Sequence, residues 1–139
     1  MSSHTCRVLL VDDHDQIRDA LRVLLASYGN IQVVGEARDG EEAIIRTASC
    51  QPEIILMDIN MPRMNGIQAT TVIKKSPRET SIIGLCAVQD MYTIEAFLKA
   101  GGVAVVSKDR LDDLRPTIQR ACINRPQGST DTHCLLEED

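Results

Sequence analysis

Hydrophobic positions along the chain follow two alternating patterns. Val8–Val11, Ile54–Met57, Ile82–Ala87 and Val103–Val106 are short apolar runs, and Ile31–Ala37 is a fifth, more mixed one. Continuous apolar runs of this length suit strands buried on both faces, as in parallel sheets. Between them the period changes. Ile17, Leu21, Leu24, Leu25 and Tyr28 share one face of a helix that ends near Gly29. Glu41–Cys50 reads as a second helix, stopped by Pro52, and residues 65–75 as a third, ended before Pro77. Thr93–Ala100 reads as a fourth, with Gly101 and Gly102 at its end. Leu111, Leu114, Ile118 and Ala121 mark a fifth.

The order is strand then helix, five times over. It predicts an α/β fold, a (βα)5 doubly wound parallel sheet with helices on both faces. From about Asn124 the periodicity fails. Pro126, Gly128 and small polar residues there predict a flexible tail over residues 124–139, after a single domain over residues 1–123.

Composition narrows the function. Charged residues make up 25% of the 139 residues and the net charge is −5. Four of the acids, Asp131, Glu137, Glu138 and Asp139, lie in the tail, which has no Lys or Arg. An acidic tail on a near-neutral body gives no electrostatic reason to bind nucleic acid. With only Phe97, Tyr28 and Tyr92, aromatic stacking of bases is not expected either. No apolar run is long enough to span a membrane, and no secretory signal follows Met1, so a cytoplasmic location is expected. Cys6, Cys50, Cys86, Cys122 and Cys134 are odd in number and form no C-x-x-C pair, as expected for reduced thiols.

In open α/β sheets, ligands bind beyond the carboxyl ends of the strands. The first strand leads to Asp12 and Asp13, the third to Asp58, the fourth to Cys86 and the fifth to Lys108. Three carboxylates and one ammonium therefore converge on one edge. Carboxylates so close raise each other's pKa values unless a cation compensates. Oxygen donors without organised His or Cys favour Mg²⁺, and a metal beside a carboxylate suits phosphoryl transfer. Taken singly, each residue has a plainer explanation: an aspartate after a strand is often a helix N-cap, and a lysine is often solvated. Four on one edge are hard to explain that way together.

These residues resemble a receiver domain of two-component response regulators. The matching stretches are Val8–Asp13 (VLLVDD), Asp58–Gly66 (DINMPRMNG), Lys99–Gly102 (KAGG) and Lys108, and together the resemblance spans roughly residues 6–123. Val33–Gly40 (VVGEARDG) and Lys108-Asp109 resemble the LuxR/FixJ-type subgroup in particular. The resemblance implies a flavodoxin-like strand order 2-1-3-4-5. It also implies that Asp58 accepts a phosphoryl group from a sensor histidine kinase or phosphotransfer protein. Asp12, Asp13 and Asp58, with the backbone carbonyl of Asn60, would hold Mg²⁺, and Lys108 would pair with the phosphoryl oxygens. Pro62 and Gly66 match the loop after the acceptor. Such a chain is a phosphoacceptor rather than an enzyme, and a homodimer is one of its expected assemblies.

Three positions depart from that family. Cys86 stands where Thr or Ser is usual, Val105 where Tyr or Phe is usual, and Asp109 where Pro is usual. The first two form the family's switching pair, and a thiol is a weak donor while Val has no ring to swing. Cys86 also reads as a small buried hydrophobe, and Val105 as ordinary strand packing. A second reading is therefore a binding module controlled by partners or by Cys86 chemistry, with phosphorylation vestigial. A third, a metal-dependent hydrolase, lacks a general base at the strand ends, since His4, His14 and His133 are set apart from them or just past the acidic pair. A nucleotide-binding role lacks a Gly-rich phosphate loop.

Overall fold

The computed structural model describes residues 4–76 and 79–123, with Ile123 described by its backbone only. The expected tail, residues 124–139, lies outside the described residues. Five strands, β1 (Cys6–Val11), β2 (Ile31–Ala37), β3 (Ile54–Asp58), β4 (Ser81–Cys86) and β5 (Ala104–Ser107), alternate with five helices. These are α1 (Asp15–Ala26), α2 (Gly40–Cys50), α3 (Gly66–Ile73), α4 (Met91–Lys99) and α5 (Leu114–Ile123). The sheet is parallel throughout, in the order β2-β1-β3-β4-β5.

The apolar runs are continuous because alternate residues serve opposite faces. Leu9, Val11, Ile55, Met57, Ile82 and Cys86 point to one side, where Ala43, Ala69, Ile73 and Phe97 from α2, α3 and α4 close over them. Val8, Leu10, Ile54, Leu56, Ile83, Leu85 and Val106 point to the other, against Leu21 and Leu25 of α1 and Leu114 and Ile118 of α5. Every residue of β3 and β4 is buried.

Local chemistry sets the helix starts. Asp39 accepts the Glu42 N–H at the head of α2, and Asn65 and Gln68 form a reciprocal capping box on α3. Asp90 accepts the Tyr92 N–H, so α4 begins at Met91, two residues before the apolar pattern announces it. Leu111–Asp113 is a 3₁₀ turn rather than the start of the fifth helix.

Candidate functional site: an acidic cluster at the sheet edge

Gly66 packs the loop that follows β3. A Cβ there would lie 2.4 Å from the backbone oxygen of Asp58 and 2.8 Å from Ile59 Cα. Only glycine lets α3 begin this close to the strand end. The Gly66 N–H also donates to the Ile59 carbonyl at 3.0 Å. Asp58 is thereby held at the end of β3 with its side chain 1% exposed. Asn60 is reached through its backbone N–H, which donates to Asp58 Oδ1 at 3.1 Å.

Asp12 continues β1, and its N–H donates to Ala37 of β2 at 3.1 Å. Its carbonyl accepts from Arg18 Nη1 at 2.6 Å. Arg18 is itself buried on α1, paired with Asp15 and with Glu36. Neither Asp12 nor Asp13 is the N-cap of α1. That position belongs to His14, whose N–H donates to Asp12 Oδ1 at 2.9 Å.

Lys108 follows β5 and its N–H donates to the Cys86 carbonyl at 2.8 Å. Its ammonium turns inward, 2.9 Å from Asp12 Oδ2 and 3.3 Å from Asp58 Oδ1. It is not a solvated surface charge. Burial alone would lower its pKa, but the two carboxylates outweigh this and raise it, so it stays protonated. The Asp58 carboxyl is pushed up to about 7, first by burial and then by the negative charge of Asp12, against the pull of Lys108. Asp58 Oδ2 is buried with no hydrogen-bond partner among the described residues. A buried carboxylate oxygen left in this state is costly unless a cation or a proton completes it.

His14, expected just past the acidic pair and given no role there, belongs to this cluster. Its Nδ1 lies 3.2 Å from Asp12 Oδ1 and 3.4 Å from Asp13 Oδ1. One ligand atom from each of Asp12, Asp13, His14 and Asp58 can be chosen so that all lie within 4.8 Å of one another. This acidic cluster can hold a metal ion. Adjacency to Asp13 was the one sequence signal for His14. Arg18, one of two arginines one turn apart on α1, carried none that separates it from a solvated residue.

Cys86 is fully buried at the end of β4, and the Gln89 side-chain amide donates to its Sγ at 3.8 Å. Burial pushes its thiol pKa up, and Lys108 only partly opposes this. The thiol is held neutral, the opposite of what a reactive cysteine needs. Val105, half-buried on β5, lies in register with Gly84 of β4 and packs on the cluster that holds Phe97.

The arrangement of two acids after the first strand, one at the end of the third and a lysine after the fifth matches a known group. Residues 8–119 match the response regulator receiver domain. The chain belongs to this family. It is 33% identical over 128 residues to the response regulator protein VraR of Staphylococcus aureus, covering 88% of this chain and 61% of that protein. It is 32% identical over 102 residues to the response regulator GacA of Pseudomonas protegens, covering 73% of this chain and 48% of that protein. The chain thus spans about half to three-fifths of the length of these relatives. Among solved structures it superimposes on the response regulator domain of Thermotoga maritima CheB with a TM-score of 0.78 at 33% identity, covering 85% of this chain and 96% of that one. A LuxR-family two-component response regulator from Aurantimonas sp. SI85-9A1 gives a TM-score of 0.82 at 28% identity, covering 96% and 97%. The receiver domain of a two-component system, with LuxR-type neighbours and strand order 2-1-3-4-5, is therefore the setting for this cluster.

Proposed function

We propose that this receiver takes a phosphoryl group on Asp58 and signals by changed protein contacts. The observation that carries the proposal is the Asp58 carboxylate, whose buried Oδ2 has no hydrogen-bond partner among the described residues and whose Oδ1 lies 3.3 Å from the Lys108 ammonium. Hard oxygen donors from Asp12, Asp13 and Asp58, with the Asn60 carbonyl, suit Mg²⁺. When bound, the metal neutralises charge on the transferred group and lets Asp58 ionise among its acidic neighbours.

The chain's own residues do the rest. Asp58 supplies the attacking oxygen, which bonds to phosphorus as the bond to a phosphohistidine nitrogen breaks. Lys108 holds a phosphoryl oxygen as a compact positive charge. The Asn60 N–H fixes the other carboxylate oxygen, so Oδ2 is the one left to react. Gly66 and Arg18 keep the two acidic loops in place. The phosphoryl donor is a sensor histidine kinase or a phosphotransfer protein. Val88, Met91 and Tyr92, largely exposed where β4 passes into α4 beyond Cys86, supply apolar surface for the output contacts. Control through the Cys86 thiol is the weaker reading, because that thiol is buried and neutral.

The test is intact mass after incubation with a small acyl phosphate and Mg²⁺. One phosphoryl group is expected on the native protein and none on Asp58→Asn or in chelator. Equal labelling of the Asn variant would remove Asp58 from this role.

A further inference from the structure

At the opposite end of β1 from the acidic cluster, two thiols meet. Cys6 is the first residue of β1 and Cys122 lies in the last turn of α5. They are 116 positions apart in sequence, and their Sγ atoms are 3.1 Å apart. We propose that Cys6 and Cys122 form an oxidative cross-linking site, which a hydroperoxide converts to a disulfide fastening the end of α5 to the sheet.

The geometry is close to that of the product. The sulfurs are nearer than ordinary non-bonded contact, and about 1 Å of approach brings them to the bond length of a disulfide. Both residues sit in regular structure that supports the contact. The Cys6 N–H donates to Asn30 at 3.0 Å, and Cys122 packs on the same apolar cluster as Cys6. Access is asymmetric. Cys6 is 4% exposed, whereas Cys122 is half-buried and open to a small oxidant. Cys86, buried and neutral at the carboxyl end of β4, and Cys50, whose thiol faces the Val34 carbonyl, have other surroundings.

The chemistry balances with the hydroperoxide as the two-electron oxidant. The Cys122 thiolate attacks the terminal peroxide oxygen, the O–O bond breaks, and the alcohol leaves with a proton. Cys122 is then a sulfenic acid. The Cys6 sulfur displaces its hydroxyl, the S–S bond forms, and water carries off the second proton. Two thiols are oxidised and one peroxide is reduced to an alcohol and water. Because the bond closes a loop around nearly the whole described domain, it removes many conformations from the unfolded chain. It also pins the last turn of α5. Transient disulfides of cytosolic proteins act in this sensing manner.

The experiment treats the full chain with a slight excess of hydrogen peroxide. Expected are a mass loss of two hydrogen atoms, a non-reduced peptide pair containing Cys6 and Cys122, and a Tm raised by about 10 °C. Dithiothreitol reverses all three, and Cys122→Ala shows none of them. A disulfide joining Cys122 to Cys134, a cross-link between chains, oxygen addition at Cys122 without a bond to Cys6, or no reaction would each overturn the proposal. The peptide map of the native protein decides the matter by itself if the Ala variant does not fold.

Discussion

Lys108 reaches across from β5 to β1, and its ammonium lies 2.9 Å from Asp12 Oδ2, nearer than to Asp58 Oδ1 at 3.3 Å. One cation therefore serves two buried carboxylates, and it is bound more closely to the one that is not the proposed acceptor. A phosphoryl group on Asp58 would compete with Asp12 for that ammonium.

Removing Lys108 leaves both carboxylates without their positive neighbour. Lys108→Met should lower stability by about 2–4 kcal/mol in chelator at pH 8, since breaking a buried pair strands its partner charge. Mg²⁺ should recover part of the loss. Urea unfolding with and without the metal checks this, and an unchanged midpoint would show that Lys108 does not compensate the cluster.

Asp58 has a pH signature. Its carboxyl is pushed from 3.8 up to about 7, chiefly by burial. A carboxyl whose folded value exceeds its unfolded one binds protons more tightly when folded. The native protein therefore loses stability as pH rises from about 4 towards 7. Asp58→Asn does not titrate. In chelator it should be more stable than the native protein by about 1–3 kcal/mol at pH 8, with no gap at pH 4. Thermal melts across this range test the sign, and a gap that widens toward low pH would contradict it.

Gly66 is the tightest point of the loop. Gly66→Ala places a Cβ against backbone of Asp58 and Ile59, which cannot swing aside as a side chain can. A loss of about 1–3 kcal/mol is expected from overpacking, with weaker Mg²⁺ binding because the Asp58 loop moves. Calorimetric titration with Mg²⁺ is the check. Native affinity in the variant would mean that the loop yields without shifting the carboxylate.

Cys86 and Val105, at the positions that the resemblance gives to a switching pair, predict a muted response. Cys86 offers a weak donor and Val105 no ring, so phosphorylation finds few contacts that differ between two states. Cys86→Thr combined with Val105→Tyr should enlarge the amide chemical-shift changes in α4 and β5 on adding a phosphoryl mimic with Mg²⁺. A native response as large as the variant's would show that the signal travels by another route.

The fold was legible because it rests on short-range periodicity. Strands buried on both faces must be apolar throughout, as Ile54–Met57 is, and the helical stretch after each strand repeats apolar positions every three or four residues. Parallel pairing then obliges every strand to end on the same edge, which is why the sequence pattern alone puts Asp12, Asp58 and Lys108 together. Helix starts were less legible, since Asp90 caps α4 ahead of the apolar pattern.

Tertiary structure alone decided which atoms meet. The turn of His14 back onto Asp12 and Asp13, the burial of Arg18 beneath the Asp12 carbonyl and the choice of Asp12 as the nearer partner of Lys108 follow from how loops and helices settle on the sheet. The approach of Cys6 to Cys122 has the same origin: α5 docks through Leu114 and Ile118, and only that docking carries its last turn to the start of β1. Periodicity records which face of an element is apolar. It holds no information on the distance between two polar atoms on different elements, because that distance is set by packing across more than a hundred residues of chain.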